Sequence, residues 1–232
     1  MLIDALFPRR CPVCGDIVMP KGDLICPPCI PRLSFVKGPV CRKCGKEIAF
    51  DTQEYCADCA RQKRSFEYGA ALLNYNETAS HSMAAVKYKN KREYLDYYAQ
   101  EIVRRYGPLL RSMKAEALIP TPIHPKRLKS RGFNQAEILA VKLGRALPLP
   151  VCADVLLRSR NTEPQKELRA SERLRNLEKA FCVREERRLP GSAILIDDIY
   201  TTGATIEACA RVLKRAGVKR VYFFAVCIGQ GV

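Results

Sequence analysis

The chain has 232 residues, 47% of them apolar, and a formal net charge of +16. This suits one α/β domain with a real core plus a smaller module, and it calls for acidic partners: phosphorylated small molecules, nucleic acid, or both. No stretch approaches the roughly 18–20 apolar residues of a membrane span, and Met1 to Arg10 lacks the basic, apolar and cleavage regions of a signal peptide. The expectation is a cytoplasmic protein with no membrane insertion. Disulfides are rare in that compartment, so grouped cysteines point to metal or redox chemistry.

Eight of the 12 cysteines form four Cys-x-x-Cys knuckles: Cys11/Cys14, Cys26/Cys29, Cys41/Cys44 and Cys56/Cys59. The first two recur in the second two at a constant offset, an internal repeat. Each knuckle supplies two thiolates on a tight turn, and two knuckles complete a tetrahedral Cys₄ site. Gly15 and Gly45 suit turns that aim N–H groups at sulfur. Two structural zinc ribbons are expected. The repeat favours pairing within each half and leaves crossed pairing open. A thioredoxin-type redox motif does not fit four copies outside a βαβ unit.

Residues 60–67 read as a linker, dividing a double zinc ribbon over 1–66 from an α/β domain over 67–232. Tyr68 to Asn74 reads as a strand, Tyr75 to Glu77 as a turn and Ser80 to Lys87 as a short helix. His81 has no partner nearby in sequence and reads as a surface or capping residue. The basic cluster Lys87-Tyr88-Lys89-Asn90-Lys91-Arg92 either grips a nucleic-acid backbone and stacks a base, or is a solvated loop with a packed tyrosine. Leu95, Tyr98, Ile102 and Tyr106 share a helical face from Arg92 to Tyr106, and Pro108 ends the region.

Ala115 to Pro120 reads as a buried strand entering a proline-stiffened loop, with helix Asn134 to Leu147 beyond it. Lys126, Arg127 and Arg131 beside that loop are candidates for a pyrophosphate site, because charge-assisted contacts to a polyanion are strong. Val151 to Leu157 is a third strand. Residues 158–176 are polar and charge-dense, and Arg160, Lys166, Arg169, Arg173 and Arg175 there are further candidates to neutralise a pyrophosphate. Phe181 to Val183 is a short strand.

Ala193 to Ile196 then forms an apolar run of a strand buried on both faces, leading into Asp197 and Asp198 where such a strand ends. The acids can accept hydrogen bonds from vicinal hydroxyls or help hold a hydrated Mg²⁺. Thr201, Thr202, Gly203, Ala204 and Thr205 lie at the start of a helix running to Ala216, where free N–H groups and the helix dipole favour a phosphate. Val221 to Ile228 is the last core strand. Cys152, Cys182, Cys209 and Cys227 stand singly and read as buried structural thiols.

The stretch from Ala193 to Thr205 resembles the 5-phosphoribosyl 1-pyrophosphate (PRPP) signature of type I phosphoribosyltransferases. That likeness implies that Asp197 and Asp198 touch the ribose 2′- and 3′-hydroxyls and that the threonine loop binds the 5′-phosphate. Pro120 to Arg127 and Arg131 to Gln135, together with the N-terminal cysteines, are similar to elements of the ComF family, which is competence-associated. Thr162, Gln165, Leu168, Arg173, Asn176 and Phe181 fit that family's spacing, and 158–176 resembles the mobile loop that closes over PRPP. The resemblance covers nearly the whole chain. It implies a type I phosphoribosyltransferase-like fold with a mostly parallel sheet behind a double zinc ribbon, PRPP as ligand or substrate with Mg²⁺, two structural Zn²⁺ ions, and a link to DNA uptake.

The expected function is a PRPP-binding protein of DNA uptake that handles single-stranded DNA. One alternative is an active transferase passing phosphoribosyl from PRPP to a nucleobase or amine acceptor, the acceptor being unreadable between Tyr68 and Tyr106. The other is a zinc-ribbon module docking a partner such as a DNA-uptake helicase.

Overall fold

The structure is a computed structural model describing residues 8–159, 176–184 and 186–230. Its centre is a parallel sheet in the order β1 (Gly69–Asn74), β6 (Arg220–Ile228), β5 (Ser192–Tyr200) and β2 (Ala117–Pro120). Six helices are described: α1 (Ala57–Arg61), α2 (Glu77–Tyr88), α3 (Tyr94–Ser112), α4 (Pro125–Arg131), α5 (Gln135–Ala146) and α6 (Ala204–Arg215), with a 3₁₀ turn at Pro27–Arg32. The short strands β3 (Leu156–Arg158) and β4 (Phe181–Val183) pair antiparallel to each other, away from the main sheet.

The strands are buried on both faces, as apolar runs without alternation require. Successive side chains still point to opposite sides, so the sheet divides two apolar clusters. Ile194, Ile196 and Phe224 meet α3 and α5 on one face, whereas Ala193, Leu195 and Phe223 meet α6 on the other. Helix α6 buries Ile206, Cys209, Ala210 and Leu213, the spacing of one helical face. Full burial of a side chain the size of Ile206 or Leu213 contributes about 1.5–3 kcal/mol relative to exposure.

Several expectations shift. The expected third strand, from Val151 to Leu157, is reduced to one parallel bridge, Val151 to Leu118, before the chain turns into β3. Helix α2 begins before Ser80 because Asn76 caps it, its side-chain oxygen accepting from the Ala79 N–H at 3.0 Å. Pro108 does not end α3 but lies within it, on the solvent side, while Leu110 and Met113 pull the last turn onto the core. Cys182 is exposed and Cys152 only half-buried, and of the four single cysteines Cys209 and Cys227 alone are buried.

The topology creates a crevice. From β2 the chain leaves through α5 towards Val151, and from β5 it leaves through α6 towards β6, on the opposite face. The connections diverge beyond the carboxyl ends of β2 and β5, where open α/β sheets bind ligands.

The cysteine-rich region is built onto this sheet. The segment between the two ribbons runs antiparallel to β1 through a Phe35 to Leu73 bridge, with Val36 N–H donating to the Leu72 carbonyl at 3.0 Å and Asn74 N–H to the Ser34 carbonyl at 2.7 Å. The edge of β1 is thereby covered. The expected linker is a docking segment: Phe66 is fully buried, edge-on to Phe223 at 5.0 Å and to Tyr200 at 6.5 Å.

Candidate functional site

Asp197 and Asp198 lie within β5 rather than at its end. Their position is open because β2 stops at Pro120, opposite Ile196, while β6 continues alongside to Tyr200. Both acids are buried, at 7% and 5% exposure, so each needs partners. Asp197 accepts from the Thr121 hydroxyl at 2.8 Å and from the Asp198 N–H at 2.9 Å. Asp198 accepts from the Gln135 amide at 3.1 Å and forms an ion pair with Lys87 at the end of α2. Burial, with the charge of Asp198 beside it, pushes the Asp197 carboxyl up to about 7.

The loop after β2 is held from both ends. The buried Asn134 amide donates to the Thr121 carbonyl at 3.0 Å, and its oxygen caps α5 through the Ala136 N–H at 3.1 Å. His124 is buried and caps α4, its Nδ1 accepting from the Lys126 N–H at 3.2 Å. That bond requires a neutral ring nitrogen, and burial and the cations Arg158, Lys126 and Arg127 lower its pKa accordingly. Lys126 and Arg127 point out from α4 and are exposed. Arg131 turns inward and donates to the Gln135 side-chain oxygen.

On the other side of the acids, α6 begins at Ala204, after Gly203 in the left-handed conformation with φ 77°. Its N-cap, Gly203, has no side chain with which to cap this terminus. Thr201 and Thr202 are exposed and Thr205 half-buried. Gly203 has a second reason to be glycine: a Cβ there would stand 2.2 Å from the Tyr200 hydroxyl, and Tyr200 is fixed beneath the loop by stacking on Phe223 at 4.6 Å. The N–H groups at the start of α6 and the threonine hydroxyls thus offer an anion cradle beside the two carboxylates. Arg160 and the rest of the stretch 160–175 lie outside the described residues.

Five contributors escaped the sequence reading: Thr121, Gln135, Lys87, Arg158 and Arg64. Thr121 and Gln135 lie within the quoted elements Pro120 to Arg127 and Arg131 to Gln135, so their place beside the acids had a sequence signal. Arg158 is half-buried, its pKa lowered by desolvation and by Arg127 and opposed by Asp197. Arg64 donates to the Thr202 carbonyl at 2.9 Å, and Ser65 donates through its N–H and hydroxyl, each at 2.8 Å, to Glu207 in the first turn of α6. Nothing in the sequence announces that contact. Lys46, Asp58 and Arg61 of the second ribbon face Thr201 and Thr202 across a cavity of about 580 Å³.

The cysteines separate by repeat. The sulfurs of Cys41, Cys44, Cys56 and Cys59 all lie within 4.8 Å of one another, as do those of Cys11, Cys14 and Cys29. Cys26, expected as the fourth ligand of the first site, turns its thiol towards the Ile17 carbonyl at 3.9 Å. Crossed pairing is excluded by this grouping. Four sulfurs so close cannot all ionise on their own: hydrogen bonding with Cys44 and Cys59 lowers the Cys41 thiol, and the bond to Cys41 raises that of Cys44. A divalent cation removes that conflict, and an all-sulfur tetrahedral set suits structural Zn²⁺.

Residues 2–60 match a family model described as a double zinc ribbon domain. Over 224 residues the chain is 30% identical to competence protein F of Haemophilus influenzae, covering 93% of this chain and 95% of that protein. The chain belongs to the competence protein F family. It is also 26% identical to competence protein ComFC of Bacillus subtilis over 223 residues, 94% of this chain and 89% of that protein. The DNA utilization protein YhgH of Escherichia coli is 26% identical over 207 residues, 88% of this chain and 89% of that protein. Among the described residues no helix is long and apolar enough to cross a membrane.

Proposed function

We propose that this family member binds PRPP on a type I phosphoribosyltransferase-like domain spanning 67–232 and acts in the cytoplasm in competence and DNA uptake, handling single-stranded DNA. The observation that carries the PRPP reading is the buried Asp197–Asp198 pair followed, one short loop later, by the glycine-capped N-terminus of α6. A phosphosugar carries a diol and a phosphate on one molecule: carboxylates accept from the diol, and helix N–H groups take the phosphate. The relatives, competence proteins and DNA utilization proteins, support the wider role.

In this reading Asp197 and Asp198 orient the ribose, with Lys87 giving up part of its hold on Asp198 as the hydroxyls arrive. Thr201, Thr202 and Thr205 donate hydroxyls to the 5′-phosphate, and Gly203 keeps its approach unobstructed. Lys126, Arg127, Arg131 and Arg160 neutralise the pyrophosphate. The two carboxylates also fit a hydrated Mg²⁺ arriving with the ligand, which would spread the pyrophosphate charge; two side chains alone are too few for an all-protein Mg²⁺ cage.

A second reading, transfer of the phosphoribosyl group to a nucleobase or amine, is favoured by the pairing of Asp197 with Asp198: burial and the neighbouring charge raise the Asp197 carboxyl well above the ordinary carboxylate range, towards the range where a group exchanges protons at neutral pH. Pyrophosphate release on adding an acceptor supports it.

The deciding experiment is calorimetric titration of PRPP with Mg²⁺ into zinc-loaded protein and into the Asp197→Asn/Asp198→Asn variant. Heat in the wild type and none in the folded variant supports the pocket. No heat with a folded, two-zinc wild type overturns it.

A further inference from the structure

The end of α2 carries two adjacent residues with opposite fates. Lys87 reaches inward to Asp198. Tyr88 faces solvent at 78% exposure, so the packed-tyrosine reading of this cluster does not hold. The turn beyond it is fixed: the N–H groups of Lys89 and Lys91 both donate to the Ala85 carbonyl, at 3.0 and 3.2 Å, and Arg92 donates to the Asn90 side chain at 2.6 Å.

The Arg131 guanidinium stands 5.6 Å from the Tyr88 ring centroid and also donates to Gln135, which donates to Asp198. Tyr88 thus stands outside the site, next in chain to Lys87 and against the outer side of Arg131. Around it the cations continue. Arg92 lies over Phe133 at 4.2 Å, on the rim of a cavity of about 380 Å³ that Lys142 and Arg145 also line.

We propose that Tyr88, backed by Arg131, is a stacking ledge for one base of single-stranded DNA, with Lys89 and Arg92 taking the flanking phosphates. The proposal rests on the DNA-handling part of the function above and names the side chain that meets the base. An aromatic ring beside a cation and flanked by further cations is how single strands are held without sequence preference: the ring takes the face of an unstacked base, and the cations follow the backbone. Duplex DNA keeps its bases stacked and offers the ledge nothing.

The test uses the zinc-loaded full chain as wild type, Tyr88→Ala and Tyr88→Phe. Fluorescence anisotropy follows binding of an oligothymidylate of roughly 16 nucleotides and of an abasic oligomer of equal length, across a salt series. Tyr88→Ala is expected to weaken oligothymidylate binding by about 5- to 100-fold, and Tyr88→Phe by less than about 2-fold. The abasic oligomer and the salt slope should be the same for all three. PRPP titration, which reads the acids and not the ledge, should be unchanged in Tyr88→Ala.

Equal oligothymidylate binding by Tyr88→Ala and wild type overturns the ledge, as does an equal loss on the abasic oligomer. A wild type that binds PRPP but neither oligomer overturns the ledge and the DNA role together, leaving the phosphosugar pocket standing. A wild type that binds oligothymidylate through Tyr88 but not PRPP keeps the ledge and overturns the pocket.

Discussion

The two zinc ribbons are one local structure in two tertiary settings. Cys11 N–H bonds to the Asp16 carbonyl as Cys41 N–H does to that of Lys46, and Arg10 bridges Ile17 as Val40 bridges Glu47. Gly15 and Gly45 sit at φ 80° and 76°, each donating to the first cysteine carbonyl of its knuckle. Their surroundings then diverge. The first ribbon packs Val18 and Ile25, with Leu33 and Phe35 of the segment that follows it, into the cluster with Tyr94 and Tyr97 of α3. The second packs Cys41, Cys44 and Cys56 into the cluster with Tyr200 and α6, directly behind the threonine loop. Around Gly15 there is open space, whereas a Cβ on Gly45 would stand 2.8 Å from the Gly69 carbonyl oxygen and 2.9 Å from Ala70 Cα. Duplication supplied two knuckles; packing made the first a brace for α3 and the second a support for the candidate anion site.

The largest difference should come from removing one metal ligand at each site. Cys44→Ser is expected to lose one equivalent of zinc, several kcal/mol of stability and at least about 10-fold in PRPP affinity, because the loop support goes with the metal. Cys14→Ser, at an exposed ligand, should lose zinc with PRPP affinity changed by less than about 2-fold. Zinc content, thermal melting and calorimetry read all three quantities. Equal losses of affinity in both would break the comparison.

Next come the paired glycines. Gly15→Ala should cost about 1–2 kcal/mol, the strain of a left-handed alanine. Gly45→Ala should cost a further 1–3 kcal/mol, roughly, since β1 must also move. Denaturant unfolding of the two zinc-loaded variants measures the gap.

A smaller effect isolates the acid pair from both ribbons. The Asp197 carboxyl titrates near 7 in the fold against an ordinary value of 3.8, so the folded state holds an extra proton between those values. Its contribution to stability is therefore full below about pH 4 and is lost as pH rises through about 7. Asp197→Asn mimics the protonated form and keeps an oxygen for Thr121. It should melt a few °C above wild type at pH 8, by about 1–2 kcal/mol, with the gap closing towards pH 4.

The smallest effect compares one arginine from each region. Arg64→Ala removes the bond to the Thr202 carbonyl and should weaken PRPP binding about 3- to 10-fold. Arg9→Ala removes a half-exposed pair with Asp96 at 2.8 Å and should cost at most about 1 kcal/mol of stability, with PRPP binding unchanged.

Local features were legible along the chain: the cysteine knuckles, whose chemistry lies in four-residue spacing; the strand cores, whose apolar runs need burial on both faces; and the Asp197 to Thr205 stretch, where acids, glycine and helix start are contiguous. Boundaries set by single side chains were not, as with Asn76 capping α2 or the buried Leu110 carrying α3 past Pro108. The tertiary structure alone decided that residues 60–67 dock instead of linking, because burying Phe66 against Tyr200 and Phe223 joins positions more than a hundred residues apart. It alone brought Lys87 to Asp198, turned Tyr88 outward, and set Arg64 and Ser65 against the threonine loop. Spacing governs contacts made within a turn or two of chain. Which surfaces meet across the sheet depends on what the whole fold can bury, and that is where the two ribbons became different.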